Sequence, residues 1–291
     1  MDLRLDRLAT LYLVSPLMRL AAEEQSSIPI LMYHSIAEED ESRMHAYYRT
    51  TTSPTAFVVQ MEYLHQNGYQ VCNPAQASGL LKGDPGRTVK SVAITFDDGY
   101  CDFYREAFPV LNQFGFTATM FLPTAYIGDN TLQFKGRDCL TWSEVRELQK
   151  YGISFGSHTV THPQLRGLGK DAIQKEMVNS KRAIEEKTGC AVDSFAYPYA
   201  FPQTETELKK VLRESLLRAG YHNGVCTIVG RTGSGSDPFF MERLPVNSFD
   251  DTALFQAKLA GAYDWISKSQ YVVKMARTLA ARICWQRSAP V

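Results

Sequence analysis

Two carboxylates stand side by side, Asp97 and Asp98, at the end of a short apolar run in SVAITFDDGY, Ser91 to Tyr100. Two imidazoles, His158 and His162, stand four residues apart in FGSHTVTHPQL, Phe155 to Leu165. Two histidines and one carboxylate form a three-ligand set for a catalytic metal, with one position left for water. Imidazole suits Zn, and also Co, Ni or Fe. A metal lowers the pKa of its water toward ~7. The carboxylate that does not ligate is then free to take a proton. This is equipment for hydrolysing an amide or an ester. The competing reading of DDG alone is a solvated turn, and a lone histidine is more often a core or surface residue. The second segment tips the balance toward a metal.

These groups need strands to deliver them. Val92-Ala93-Ile94 reads as a buried strand that turns at Gly99. Ser154 to Ser157 reads as another, and a helical turn after it would bring both imidazoles to one point. Around these two, apolar runs alternate with helical patterns about seven times, which predicts a parallel α/β architecture whose chemistry sits at the carboxyl ends of the strands. The first run is Ile28 to Tyr33 and the last is Arg243 to Val246. Ser53-Pro54, Asn73-Pro74 and Thr141 with Glu144 are helix starts. Pro123 to Leu140 reads as a long polar loop and RTGSGSDP, from Arg231, as a flexible one. The expected division is a leading helical segment over 1–27, one barrel domain over 28–249, and a helical extension over 250–291 packed on it.

Lys+Arg and Asp+Glu both number 31, so the formal net charge is zero. Such a chain has no global field to draw in nucleic acid; a neutral polymer or small molecule is the expected partner. The six cysteines are scattered singly, which speaks against a cysteine metal site and for reduced thiols in the cytoplasm. No apolar run is long enough for a transmembrane helix. The acids Asp2 and Asp6 make the first residues a helix rather than a targeting peptide. Lys268, Lys274, Arg277, Arg282 and Arg287 give the tail a basic character. Peripheral membrane contact is weighed against a helix that covers the barrel, and the covering helix is preferred.

TFDDG at Thr95 to Gly99 and HTVTH at His158 to His162 resemble the first two motifs of the polysaccharide deacetylases, the NodB-like carbohydrate esterase family 4; FAYPY at Phe195 to Tyr199 resembles the third. The resemblance runs from about Pro29 to about Val246. It implies a distorted (β/α)7 barrel and a hydrolase that removes N-acetyl groups from an amino-sugar glycan, with a divalent cation, zinc foremost, on Asp98, His158 and His162. Asp97 would be the general base. A backbone N–H near Tyr199 would help to hold the oxyanion. The general acid, a histidine of a late strand in many members, has no counterpart after Val246. ILMYHS at Ile30 to Ser35 has that form at the other end of the chain, as in the circularly permuted branch with poly-N-acetylglucosamine deacetylases. His34 is therefore assigned as the acid, with His222 as runner-up; His45 and His65 read as loop and helix surface. The third motif's arginine is replaced by Ala196, and Arg243 is the residue that would reach across to orient Asp97. Tyr100, Tyr197, Tyr199 and Trp142 are candidate sugar contacts, with Tyr100 and Tyr199 preferred. The alternatives are the same chemistry on another linear or cyclic amide, and a catalytically silent glycan-binding barrel.

Overall fold

The computed structural model describes residues 4–21, 26–39, 41, 44, 49–83 and 90–287, with the backbone alone over 19–21 and 277–287. His45 and most of the loop before Ser91 lie outside the described residues. Seven parallel strands close a ring: β1 Ile30–Tyr33, β2 Ser91–Phe96, β3 Thr119–Leu122, β4 Ser154–Ser157, β5 Ser194–Ala196, β6 Asn223–Val229 and β7 Met241–Pro245. Each pairs with the next in chain order, and β7 returns to β1 through Leu244 opposite Leu31. The expected (β/α)7 barrel is the observed one. A further strand, Gln70–Cys72, runs beside the first half of β2 without joining the ring.

Strands covered on both faces must be apolar throughout, and all six residues of β2 are buried. Alternation divides their side chains between two clusters. Ile30, Ala93, Phe121, Ala196, Val225 and Met241 meet inside the ring. Phe121 fills this narrow space because its neighbour on β4 is Gly156, where a Cβ would lie 2.4 Å from the Phe121 ring. Ala77 and Leu81 of the helix Pro74–Lys82 belong to the same cluster and close the amino-terminal end. The other face of the strands meets the surrounding helices, among them Pro54–Gln66, Trp142–Lys150, Lys170–Thr188, Thr206–Ala219 and Thr252–Leu259.

Helix boundaries follow local chemistry. Ser53 caps Pro54–Gln66, and Thr141 with Glu144 forms a reciprocal capping box. Gly189 and Gly220 end their helices in the left-handed conformation. Pro109 has no N–H to continue a helical ladder, and the turn before it, Phe103–Ala107, is π-helical.

Three expectations are revised. Pro123 to Leu140 is not a plain loop: Gln133–Phe134 and Arg137–Asp138 form an antiparallel hairpin within it. The RTGSGSDP segment is not simply flexible, because Thr232–Gly233 pairs with Ser27–Ile28. No helical turn spans His158 to His162, where the chain is irregular and Thr159 and His162 have φ of 69° and 54°. At the ends, Leu5–Ala9, Thr10–Val14 and Ser15–Ala21 form a helical segment whose Thr10 hydroxyl accepts from the Trp265 indole at 3.0 Å. Trp265 opens the last helix, Trp265–Arg287. Among the described residues no helix is long and apolar enough to cross a membrane.

Candidate metal centre

Ala93, Thr95 and Asp97 occupy alternate positions along β2 and its end, so all three face the barrel axis. Asp98 and Gly99 then take φ of 73° and 67°. Two left-handed residues in succession swing the chain out of the strand. The adjacent carboxylates thereby reach one cavity instead of opposite faces. Asp98 tolerates this region better than most residues.

The histidine loop is held by its own hydroxyls and by a neighbouring helix. The Thr159 hydroxyl accepts from the His162 N–H at 3.0 Å, and the Ser157 hydroxyl from the Thr159 N–H at 3.2 Å. Glu176, on Lys170–Thr188, accepts from the Val160 and Thr161 N–H groups at 2.7 and 3.0 Å and from the Thr161 hydroxyl at 2.9 Å. The Ser157 and Thr161 hydroxyls thus act on the loop backbone and on Glu176 rather than on the imidazoles.

Asp98 Oδ1 lies 3.2 Å from His162 Nε2 and 3.6 Å from His158 Nε2. One donor atom from each of the three residues lies within 4.8 Å of the other two. Asp98 Oδ1 and His162 Nδ1 are buried and have no hydrogen-bond partner. The other oxygen of Asp98 accepts from the Tyr100 hydroxyl at 3.0 Å and from Lys135 Nζ at 3.2 Å. His158 Nδ1 lies 2.8 Å from the Ala196 carbonyl. That carbonyl accepts only from N–H, so the proton sits on Nδ1 and the Nε2 lone pair points at the trio. Burial pushes the His158 pKa down to about 4, which keeps the ring neutral. Burial opposes ionisation of Asp98 too, but the adjoining His162, His34, His158 and Lys135 outweigh it and hold the carboxyl well below its usual range. A buried carboxylate oxygen without a hydrogen-bond donor, facing two imidazole nitrogens, fits a cation.

Asp97 is held differently. Arg243 NH1 and NH2 donate to its two oxygens at 2.7 Å each. The remaining guanidinium contacts go to the Cys226 carbonyl at 3.1 Å and the Thr95 hydroxyl at 3.2 Å. Burial raises the Asp97 pKa, and Arg243 with His158 more than reverses it. The site thus contains one carboxylate with a free oxygen and one fixed in a fork.

Comparisons with known proteins agree with this geometry. A family model described as polysaccharide deacetylase matches residues 84–222. The putative polysaccharide deacetylase YxkH of Bacillus subtilis is 33% identical over 225 residues, 77% of this chain and 73% of that protein. The chain belongs to the polysaccharide deacetylase family. The poly-beta-1,6-N-acetyl-D-glucosamine N-deacetylase of Escherichia coli is 30% identical over 139 residues, 44% of this chain but 20% of that protein. Among solved structures, the Streptococcus pyogenes deacetylase PplD in complex with acetate superposes with a TM-score of 0.69 at 25% identity, covering 81% of this chain and 99% of that one. His34 and Arg243 both fall outside the stretch matched by the family model.

In this polysaccharide deacetylase fold His34 follows β1 at the carboxyl end of the ring. It lies in the fields of Asp97, Asp98, Arg243 and Lys135, and burial pushes its pKa down. His222 is 74% exposed, pairs with Asp193 at 3.2 Å and precedes β6. It therefore stands at the opposite end of the ring, which removes it as the runner-up acid. His65 is an exposed residue of the helix Pro54–Gln66, as expected.

The four aromatic candidates separate. Tyr199, 46% exposed, sets its ring against His162 with centroids 4.7 Å apart. Tyr100 is buried, with its hydroxyl on Asp98. Tyr197 and Trp142 are corrected to core residues. Tyr197 is buried among Phe195, Phe201 and Phe240, and its hydroxyl is influenced by Cys226, Asp237 and Arg213 rather than by Asp98. Trp142 begins a helix and is buried in the outer core. Aromatic spacing in the sequence does not separate rings that face the helices from rings that face the site. Asp264 and Trp265 serve packing: Asp264 accepts from the Arg231 backbone and side chain at 3.0 Å.

Lys135 is a site residue that the sequence motifs do not mark. Its hairpin sits over the site, and its neighbour Phe134 lies with its ring centroid 5.0 Å from that of His162. The one available signal was Lys-Gly between short apolar and polar segments, a hairpin turn.

Proposed function

We propose that this chain is a metal-dependent N-deacetylase of an amino-sugar glycan, releasing acetate and a free amine. The observation that carries the reading is the convergence of Asp98 Oδ1, His158 Nε2 and His162 Nε2 beside a second carboxylate locked in a guanidinium fork. Asp98, His158 and His162 would hold the cation, with zinc foremost and Co, Ni or Fe also suited to the set. When bound, it would polarise the acetyl carbonyl and acidify water.

The chain's own groups supply the rest. Asp97 stays ionised and accepts a proton from the attacking water. Arg243 keeps it from rotating, in place of the arginine absent at Ala196. His34 gives a proton to the departing sugar nitrogen. Burial weakens its hold on that proton, which makes its protonated form the stronger acid. Tyr199, exposed at the mouth, offers a face on which a sugar ring can stack.

The name of the Escherichia coli relative puts β-1,6-linked N-acetylglucosamine oligomers first on a substrate panel. The test is acetate release from that panel by protein whose metal content has been measured, with opening of cyclic imides assayed in parallel. Acetate release supports the reading. Imide opening without acetate release would move the chemistry to another amide. Oligomer binding by metal-loaded protein without turnover would make this a binding barrel.

A further inference from the structure

Lys135 stands where its turn disfavours it. Gln133 pairs with Asp138 and Phe134 with Arg137, leaving Lys135 and Gly136 as a two-residue loop. Their φ values are 51° and 79°. Positive φ at both central residues defines the type I′ hairpin turn, whose favoured sequence is Asn-Gly. A lysine in the left-handed region is strained, and such strain gathers at functional sites. The side chain leaves this turn toward the metal centre. Its ammonium lies 3.2 Å from Asp98 Oδ2, 4.6 Å from the centroid of the Phe134 ring and 5.5 Å from that of Tyr199.

We propose that Lys135 is a positioning residue of the metal centre, fixing which oxygen of Asp98 faces the two imidazoles. Asp98 has two oxygens and one rotatable bond to its carboxylate. Lys135 and Tyr100 both donate to Oδ2, so Oδ1 is left free and aimed at His158 and His162. Tyr100 lies two residues from Asp98 on the same turn, whereas Lys135 arrives from a separate hairpin. The hairpin and the ligand turn are thereby tied together across the site mouth. Groups that orient ligands in this way are worth 10–100-fold in affinity or activity when removed.

A purely electrostatic role has the opposite sign. An ammonium beside the trio repels a divalent cation, so its loss would then tighten binding. The inference rests on the cation reading of Asp98, His158 and His162, and the experiment separates the two. Zinc affinity is measured by competition with a chromophoric chelator for wild type, Lys135→Met, Lys135→Arg and Lys135→Asn, and the melting temperature of each is taken without metal. Wild-type protein that binds no zinc overturns the cation reading, and this inference falls with it. With wild type binding, the expected result is about tenfold weaker zinc binding by Lys135→Met and Lys135→Asn, with much of it restored in Lys135→Arg. Lys135→Asn should melt no lower than wild type, because the turn prefers asparagine. Zinc binding by Lys135→Met and Lys135→Asn as tight as wild type, or tighter, would overturn the positioning role alone.

Discussion

Two buried ion pairs lie beside β7, and they are built for different ends. Arg243, on the inner face of that strand, grips Asp97; two residues later the Pro245 carbonyl accepts from Lys258, which also binds Asp250. Both pairs are almost fully removed from solvent. Lys258 spends its charge on Asp250 and Pro245 at 2.6 Å each, and it lies 4.7 Å from the centroid of the Tyr263 ring. It ties the helix Thr252–Leu259 to the end of β7. Asp250 Oδ1 makes no hydrogen bond but lies 3.7 Å from Arg4 NH1, whereas the Asp97 pair adjoins Asp98 Oδ1, which makes none and faces the imidazoles of His158 and His162. It is also surrounded by strained backbone. Of the six non-glycine residues with positive φ among the described residues, Asp98, Lys135, Thr159, His162 and Tyr199 border the site, and only Lys90 does not. Buried charge alone therefore does not mark a functional site. Buried charge next to converging carboxylate and imidazole atoms on strained turns does.

The sharpest way to break this comparison is Asp97→Asn. It keeps shape and removes the proton acceptor, so turnover should fall by about 10³-fold or more while zinc stays bound. Acetate release and metal content measured on one preparation check it, and retained turnover would strip Asp97 of its role. Removing one member of either pair leaves a buried charge uncompensated, at about 3–5 kcal/mol of stability. Arg243→Met and Lys258→Met should thus lose similar stability in urea titrations. Only Arg243→Met should also lose turnover under conditions where both remain folded. Equal loss of turnover would erase the distinction drawn between the pairs.

Much of this contrast is legible in the sequence. The continuous apolar character of β2 and the Asp-Asp-Gly that ends it locate a barrel strand and a turn at once. The replacement of an arginine by Ala196 leads to Arg243, because parallel strands let a late residue face an early one across the ring. Other features depend on long-range placement. His158 and His162, four residues apart, resemble a helical pair, but Glu176 and Thr159 hold the loop in a different shape. Tyr197 and Tyr199 differ by two positions and should share a face in a strand. The positive φ of Tyr199, 57°, breaks that parity, so one ring enters the core and the other reaches the mouth. Lys135 depends on a hairpin folding back over the site, a contact 37 residues from its partner Asp98.

A pH series sharpens the comparison further. In metal-free protein the pKa of His158 is about 4, pushed down mainly by burial from 6.5. Between these values the unfolded chain takes up a proton that the folded one refuses. Stability is therefore complete above pH 6.5 and falls as the solution is acidified, by on the order of 3 kcal/mol at pH 4. Urea midpoints of metal-free protein at pH 7 and pH 4 would show the fall. His158→Gln should flatten this slope, whereas Lys258→Met should lower stability at both pH values and leave the slope intact. A slope unchanged by His158→Gln would place the acid sensitivity elsewhere.

The smallest expected effect tests how far the structural pair extends. Asp6 accepts from Arg4 Nε at 3.0 Å and from the Tyr263 hydroxyl at 2.7 Å, and Arg4 NH1 lies 3.7 Å from Asp250 Oδ1. Burial raises the Asp6 pKa, but hydrogen bonds from Arg4 and Tyr263 bring it down to about 2. Its contribution is thus present above the unfolded value of 3.8 and is lost as pH falls through about 2. The group is half-buried, so solvent screens it and the pair is worth under about 1 kcal/mol. Asp6→Asn also frees Arg4 to move closer to Asp250 Oδ1, which offsets part of the loss. A melting shift of about 1 °C at pH 7 is expected. A shift several times larger would mean that Asp6, Arg4, Asp250 and Lys258 form one cooperative network, joining the leading helix to the barrel as firmly as Arg243 joins β7 to Asp97.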